Sequence, residues 1–288
     1  ILMEKSIKLI ITGLLCSSIA AAQVADSIQH YGRGISFSKK EATTAGGMAT
    51  ADELGHRTST VASNALFGLI PGLQVLQNGG NEWENGATLY VRGVGTTSSK
   101  SPLILIDGYE RSIDNLAVQD IESVSVLKDA ASLALYGMRG ANGVILITTK
   151  KGEKGSRPRV TYDGNVSIST KTKSIDVMGA DEYRNFVTDR FGAESSAVKL
   201  LGKENTDWQK EIFRTAVGTD HNITVSGGLN NMPYRVSIGY TNQNGILKTS
   251  KFERYTGSVN LAPSFFEDHL NINFNAKGMI SNNRFADT

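Results

Sequence analysis

The sequence is poor in the residues that build cross-links, metal sites and rigid loops. It has one cysteine, Cys16, among 288 residues, which excludes an intramolecular disulfide framework. Five prolines stand against 30 glycines, a balance that favours strands and turns over disordered linkers. The formal net charge of +2 gives no reason to expect nucleic acid or an acidic partner. Four histidines are scattered without a ligand spacing such as H-x-x-x-H: His30, His56, His221 and His269.

Long apolar runs are also missing, because no stretch reaches the roughly 18 residues that a membrane-spanning helix requires. The N-terminus has the three parts of a secretory signal instead. Lys5 and Lys8 precede an apolar run over residues 9–19, and small alanines follow at residues 20–22. We predict a signal peptide over residues 3–22, cleaved between Ala22 and Gln23, and therefore an exported protein.

Cys16 allows a second interpretation of this segment, as the lipidation cysteine of a lipoprotein. Leu15 is bulkier than the residue that usually precedes such a cysteine, and Cys16 lies inside the apolar core. Cleavage after Ala22 is the favoured interpretation. An exported chain without a spanning helix belongs in the periplasm, outside the cell, or in the outer membrane as a β-barrel.

Residues 89–150 have the pattern of a compact, strand-rich unit with one short helix. Short apolar runs at 89–91 and 103–106 predict buried strands, and Asp107-Gly108 directly after the second run predicts a hairpin turn. Residues 121–128 alternate apolar and polar side chains, which predicts a half-buried strand. Asp129 is expected to cap a helix that Gly137 ends in a left-handed conformation, before a buried strand over residues 143–149.

The preceding residues 50–80 have a pattern of helix, break and strand. Ser59 or Thr60 is expected to cap a helix that runs to about Leu69. Pro71-Gly72 then breaks the helix, and residues 73–76 predict a short strand.

Several of these segments resemble a known family. The resemblance rests on the segments VRGVG, LILIDGYE, DIESVSVLKDAASLALYG and RGANGVILITTKKG, together with NALFGLIPGLQVLQNGG before them. They resemble the plug domain of TonB-dependent outer-membrane receptors, and more narrowly the SusC/RagA-type nutrient importers. The resemblance extends from residue 43 to the end of the sequence and implies a plug domain over residues 44–152.

Beyond the basic connector 150–157, five segments of about ten residues alternate apolar and polar side chains. Long and short connections alternate between them, as in outer-membrane barrels. We therefore expect an α+β plug, a small mixed β-sheet with short helices, followed by the first antiparallel strands of a transmembrane β-barrel over residues 158–288. Its apolar face would meet lipid. Four tyrosines suit the membrane interfaces or are simply favoured in strands: Tyr162, Tyr234, Tyr240 and Tyr255.

Five strands cannot close a barrel around a plug, because barrels of that kind have about two dozen strands. An open edge in hydrocarbon would leave backbone groups without hydrogen bonds. The expectation is a truncated, N-terminal fragment that does not transport alone.

Candidate site residues lie within the plug signature, and none is expected to be catalytic or to bind a metal or cofactor. Gly137-x-x-Gly140-x-x-Gly143 lacks the GK[ST] ending of a phosphate loop, so these glycines are expected at tight corners. For Arg92 and Arg139 we favour contacts with the barrel over ordinary surface pairing. The complete set, with barrel contacts or structural roles, is Arg92, Gly93, Asp107, Gly108, Lys128, Asp129, Tyr136, Gly137, Arg139, Gly140, Asn142 and Gly143.

The resemblance implies a function and partners. The whole receptor would import oligosaccharide or peptide fragments across the outer membrane, in contact with outer-membrane lipid and with a SusD-like surface lipoprotein. TonB, with its inner-membrane energising complex, would pull the segment 23–43, in which residues 27–40 are either a TonB box or a disordered leader. The protein is not expected to be an enzyme or to bind nucleic acid. The alternatives are a TonB-linked signal transducer and a soluble exported β-rich binding domain.

Overall fold

The computed structural model describes residues 46–55, 59–77, 86–97, 100–229, 232–267 and 269–285, and the backbone of 28–32 and 35–38. The predicted signal peptide, with its cleavage site between Ala22 and Gln23, lies outside these residues. None of the helices in the described part of the chain has the length and apolar character needed to cross a membrane.

Residues 46–149 form a unit built on a mixed five-stranded sheet, called the plug unit below. The strands are β3 (Gly47–Thr50), β4 (Leu73–Leu76), β5 (Thr88–Val91), β6 (Leu103–Ile106), β7 (Tyr109–Glu110), β8 (Ile121–Leu127) and β9 (Val144–Thr149). The five-stranded sheet has the order β3-β8-β9-β6-β7, with β6 parallel to β9 and every other pair antiparallel. A separate antiparallel pair is formed by β4 and β5.

The helices of the plug unit are short. They are α1 (Ala51–Gly55), α2 (Ala62–Ala65) and α3 (Ala130–Leu133), with 3-10 turns at Ile113–Asn115, Val118–Asp120 and Ala134–Gly140. The prediction of a helix from Ser59 or Thr60 to Leu69 is wrong. The helix begins after Val61 without a side-chain cap and ends at Ala65, because residues 66–69 turn to bury Leu66 in the core.

The predicted hairpin after β6 is confirmed. Asp107 and Gly108 both have positive φ, 51° and 89°, and join β6 to β7 as a two-residue turn requires. Gly137 interrupts the helical run at a kink with a positive φ of 58°, as predicted, but its ψ of −148° differs from that of the left-handed helical conformation.

The predicted half-buried character of β8 is wrong. Ser123 and Ser125 are 7% and 1% exposed, as deeply buried as the apolar residues between them. Five consecutive residues, 123–127, are buried, so both faces of this part of the strand are covered. The main core of the plug unit joins both sheets with α1 and α2, and includes Leu54, Leu66, Ile121, Val124, Val126 and Ile145.

The second large sheet, called the wall sheet below, is antiparallel and has the order β10-β11-β12-β13-β16. Its strands are β10 (Arg159–Ser169), β11 (Ala216–Leu229), β12 (Met232–Asn244), β13 (Lys251–Leu261) and β16 (Phe274–Arg284), and a small hairpin of β14 (Ser264–Phe265) and β15 (Leu270–Asn271) precedes β16. The five strands predicted beyond the connector are confirmed.

The long connection between β10 and β11 contains three helices. They are α4 (Ala180–Phe191), α5 (Ser196–Lys199) and α6 (Trp208–Ile212). Ser195 and Asp207 accept backbone hydrogen bonds at the starts of α5 and α6.

Near the N-terminus, β1 (Ile28–Gly32) and β2 (Ile35–Ser38) pair as an antiparallel hairpin. The hairpin lies within residues 27–40, for which a TonB box or a disordered leader was expected, and that assignment stays a prediction.

Candidate functional site: the interface between plug unit and wall sheet

The wall sheet has an exposed apolar face and a polar face covered by the plug unit. On β12, Ile238 is 69% exposed, whereas Arg235 and Ser237 are 8% and 4% exposed. The apolar residues of the outer face include Val160, Tyr162, Val166, Ile168, Ile223, Ile238, Tyr255 and Ile280. The buried polar residues of the other face include Asn222, Thr224, Arg235, Ser237, Thr241, Arg254, Ser258 and Asn260.

Asp120 makes the most enclosed contact across this interface. It ends the 3-10 turn before β8, and its carboxylate accepts hydrogen bonds from Arg235 Nη2 at 2.7 Å and Ser237 Oγ at 2.9 Å. Ser237 in turn bonds the Ser258 hydroxyl at 2.6 Å. The Asp120 and Arg235 side chains are 8% and 10% exposed, so both charges are largely removed from water. The hydrogen bonds between them offset the free-energy cost of this desolvation.

Further hydrogen bonds extend the contact along β11 and β12. Gln119 Nε2 donates to Asp220 at 2.6 Å, and Thr241 Oγ1 donates to the same carboxylate at 2.9 Å. Thr60 hydrogen-bonds the Gln243 side chain further along the wall. The plug unit therefore meets the wall through side chains that hydrogen-bond rather than through apolar packing.

Asp107 makes a second charged contact, with β16. Its carboxylate accepts from the backbone N–H of Thr149 at 2.9 Å and the Thr149 hydroxyl at 2.7 Å, and also from Asn275 Nδ2 at 3.1 Å and Lys277 Nζ at 3.3 Å. Burial raises the pKa of Asp107, but these hydrogen bonds and the Lys277 charge outweigh burial and hold its pKa below the ordinary value. The carboxylate is therefore ionised at neutral pH.

A cavity of about 470 Å³ adjoins this second contact. Its lining includes Arg111, Ser112 and Asn115 of the plug unit, and Lys277 and Met279 of β16. The Asp107 contact thus borders open space, whereas the Asp120 contact is enclosed.

The connector after β9 also lies against the wall. A Cβ added to Gly152 would come within 2.4 Å of the Tyr234 carbonyl oxygen, and one added to Gly228 within 2.3 Å of the Glu153 carbonyl oxygen. Side chains at these positions would separate the connector from β11 and β12. Burial and the nearby charge of Arg235 lower the pKa of Lys150, where the connector begins.

Of the residues singled out in the sequence, Asp107 is the one with described contacts to the wall. Arg92 follows β5 with φ 59°, and its backbone N–H donates to Gly72 O at 2.8 Å. Gly93 follows it with φ 88°. Arg139 pairs with Glu110 inside the plug unit, and both side chains are more than half exposed. A barrel contact by Arg92 or Arg139 stays a prediction.

The remaining signature residues take structural positions. Asp129 caps α3 by accepting from Ser132 N at 3.0 Å, which confirms the predicted cap. Lys128 Nζ donates to Pro71 O at 2.6 Å, and Asn142 Nδ2 to Ser101 O at 3.4 Å. Tyr136 packs on a smaller apolar cluster.

Gly140 and Gly143 lie at close approaches within the plug unit. Gly140 is buried, and an added Cβ would lie 3.1 Å from Tyr136 Cβ. Gly143 has φ 93°, and a Cβ there would lie 2.6 Å from Val91 Cβ. Gly143 thus occupies the tight corner that was predicted.

The charged partners on the wall were not predicted. Arg235 and Lys277 occupy the polar phase of alternating strands, and this phase is the one signal that could have indicated them. Their partners lie 115 and 170 residues away in the sequence. Within the described residues, no group of three His, Cys, Asp or Glu side chains is placed to hold a metal ion.

Comparison with known proteins identifies the two units. The family model of the TonB-dependent Receptor Plug Domain matches residues 38–144. The TonB-dependent receptor SusC of Bacteroides thetaiotaomicron is 50% identical over 250 residues, which are 82% of this chain and 24% of SusC. The TonB-dependent receptor P3 of Formosa agariphila is 40% identical over 207 residues, which are 71% of this chain and 20% of P3. The chain thus spans a quarter or less of the length of these relatives.

Solved structures agree with these sequence relatives. A chain of the RagAB peptide importer in its open-open state matches with a TM-score of 0.77 and 28% identity, over 91% of this chain and 33% of that chain. The ferric citrate transporter FecA in its unliganded form matches at 13% identity with a TM-score of 0.58, over 85% of this chain and 32% of FecA, and shows the shared fold alone. The order of plug unit and wall sheet is common to them, and the chain belongs to the TonB-dependent receptors of the SusC/RagA type.

Proposed function

We propose that the protein carrying this sequence imports nutrients across the outer membrane in a TonB-dependent way, with the plug unit gating a β-barrel. The identity to SusC supports this proposal, as does the structural match to the RagAB peptide importer. The relatives are receptors and transporters rather than enzymes.

The observation that carries the proposal is the polar interface between the plug unit and the wall sheet. A gate must separate from its wall and return. Polar side chains such as Gln119, Asp220 and Gln243 can exchange their partners for water when the plug unit moves, whereas an exposed apolar interface would incur the full cost of hydrating its surface. The interface therefore suits a part that is displaced repeatedly.

The proposal includes three partners of the complete receptor. TonB would pull the segment 23–43, a SusD-like surface lipoprotein would deliver oligosaccharide or peptide fragments, and lipid would cover the apolar outer face of the wall sheet. The corresponding units are a signal peptide over 3–22, the plug domain over 44–152 and the barrel region over 158–288.

An uptake experiment tests the proposal. Cells with the gene in its native reading frame, cells lacking it, and cells lacking TonB are supplied with labelled oligosaccharide and peptide mixtures. We expect one labelled class to accumulate only when both the gene and TonB are present, and the gene product to fractionate with the outer membrane. Accumulation that is independent of TonB, or recovery of the protein in the soluble periplasm, would contradict the proposal.

A further inference from the structure

Within the residues that the structure describes, two ion pairs join the plug unit to the wall sheet, and both have the acid on the plug and the base on the wall. Asp120 pairs with Arg235 on β12, and Asp107 pairs with Lys277 on β16. The other charged signature pair, Arg139 with Glu110, lies wholly within the plug unit. Asp107 and Asp120 thus both carry their charge from the plug unit to a basic residue of the wall.

Both acids form hydrogen bonds with residues at the end of β9 in the plug unit. Asp107 directly follows β6, and its carboxylate accepts from Thr149, the last residue of β9. Asp120 directly precedes β8, and its backbone carbonyl accepts from Lys150 N at 2.9 Å. Thr149 and Lys150, at the end of β9, therefore hold both acids in place within the plug unit.

We propose that Asp107 and Asp120 are the residues that fasten the plug unit to the wall and set its resistance to displacement. The proposal deepens the import function, on which its physiological meaning rests. Each acid has two fixed sets of partners, one at the end of β9 and one on the wall. Because the end of β9 moves with the plug unit, displacing the plug unit breaks the charge-assisted hydrogen bonds of the two acids to the wall.

The two fastenings are unequal. Asp120 has Arg235 and Ser237 within 2.9 Å in a closed environment, and its loss would leave Arg235 buried without its charge partner. Asp107 has Lys277 at 3.3 Å beside the cavity, where water can replace the lost partner. Asp120 is therefore expected to contribute more than Asp107.

A labelling experiment in outer-membrane vesicles measures displacement directly. Ser258 lies on the wall beneath the Asp120 contact and is 9% exposed. A Ser258→Cys reporter, in the native gene product with other cysteines replaced, reacts with a water-soluble maleimide only when the plug unit leaves the wall. Its labelling rate is compared among D120N, D107N and E110Q in the same background.

We expect D120N to raise the labelling rate about a hundredfold, as for other broken buried pairs, and D107N to raise it about tenfold. E110Q changes charge equally but breaks an exposed pair inside the plug unit, so its rate stays within about twofold. Equal rates for D120N, D107N and E110Q would overturn the proposal.

The double variant D120R/R235D restores the ion pair with the two charges exchanged. It therefore distinguishes the loss of this contact from a failure of the protein to assemble. We expect it to recover part of the slow labelling and to assemble even if D120N does not. If the exchanged variant labels as fast as D120N, or if neither variant assembles, the proposal is overturned. The assay needs neither TonB nor a nutrient, so its result is independent of the uptake experiment.

Discussion

The two five-stranded sheets of this molecule arrange the same residue types in opposite ways. In the plug unit, Ile145 lies on a central strand and is fully buried, whereas Ile238 lies in the middle of the wall sheet and is 69% exposed. The buried places of the wall are taken by Ser237, Arg235 and other polar side chains. The type of residue that is buried on a sheet face thus depends on the surface that packs against it. Apolar helices and strands pack on the plug sheet, whereas a polar surface of the plug unit packs on the wall sheet.

The largest expected effect comes from placing a charge in the plug core. Ile145→Asp should lower the free energy of unfolding by more than about 4 kcal/mol, because an acid without partners replaces a fully buried apolar side chain. The measurement is the urea midpoint of protease protection of the plug unit in outer-membrane vesicles. Ile145→Val is the control and should cost about 1 kcal/mol. Equal midpoints for the two variants would show that this sheet is not the core.

The same kind of change on the wall tests its apolar face. Ile238→Lys should destabilise the protein by about 2–4 kcal/mol in lipid, because the charge would lie in hydrocarbon. Folding into lipid vesicles at increasing urea, followed by heat-modifiable migration on gels, gives the midpoint. Ile238→Leu should leave it unchanged. A lysine variant as stable as the leucine variant would mean that this face meets water.

The junction between the two sheets depends on Gly152. Gly152→Ala should cost about 1–3 kcal/mol, because the added methyl group would contact the Tyr234 backbone and displace the connector. The matched control is Gly257→Ala on the wall, where nothing lies within 4 Å, with a change below about 1 kcal/mol. Protease cleavage in the connector reports the difference, and equal cleavage of both variants would contradict the close approach.

The smallest effect has the opposite sign. Ser125 is 1% exposed on β8, and its hydroxyl has no hydrogen-bond partner among the described residues. Ser125→Ala should therefore stabilise the plug unit by about 1 kcal/mol, since an unpaired polar group leaves the core. Ser132→Ala, which removes a bond to Asp129 at 3.0 Å, should instead destabilise it. The same protease-protection midpoints measure both, and a loss of stability in Ser125→Ala would reveal a hidden role for the hydroxyl.

These pairs show what local sequence can and cannot predict. The hairpin at Asp107-Gly108 and the cap at Asp129 depend on residues within three positions of each other, and both were predicted correctly. The burial of Ser125 depends on what covers the second face of the sheet, since Ser125 and its neighbours Val124 and Val126 are all buried. Alternation along β8 gave the wrong burial because it does not reveal that both faces are covered.

The interface shows the same limit more strongly. The strands of the wall sheet follow from their alternation, but the pairing of Asp120 with Arg235 joins residues 115 positions apart. In the sequence, an acidic residue before a strand can belong to an ordinary turn as well as to an interface. An arginine among the polar residues of an alternating strand can likewise face solvent as well as a partner. Only the packing of plug unit against wall distinguishes these possibilities, and the fold alone supplies it.

The close approach of Gly152 and Gly228 has a kinetic consequence. The plug unit is joined to β10 by a connector of a few residues whose path is fixed against β11 and β12. A displaced plug unit consequently stays near its site, at an effective concentration in the millimolar range that is typical of short linkers. Its return is a first-order step, independent of how many receptors the membrane holds.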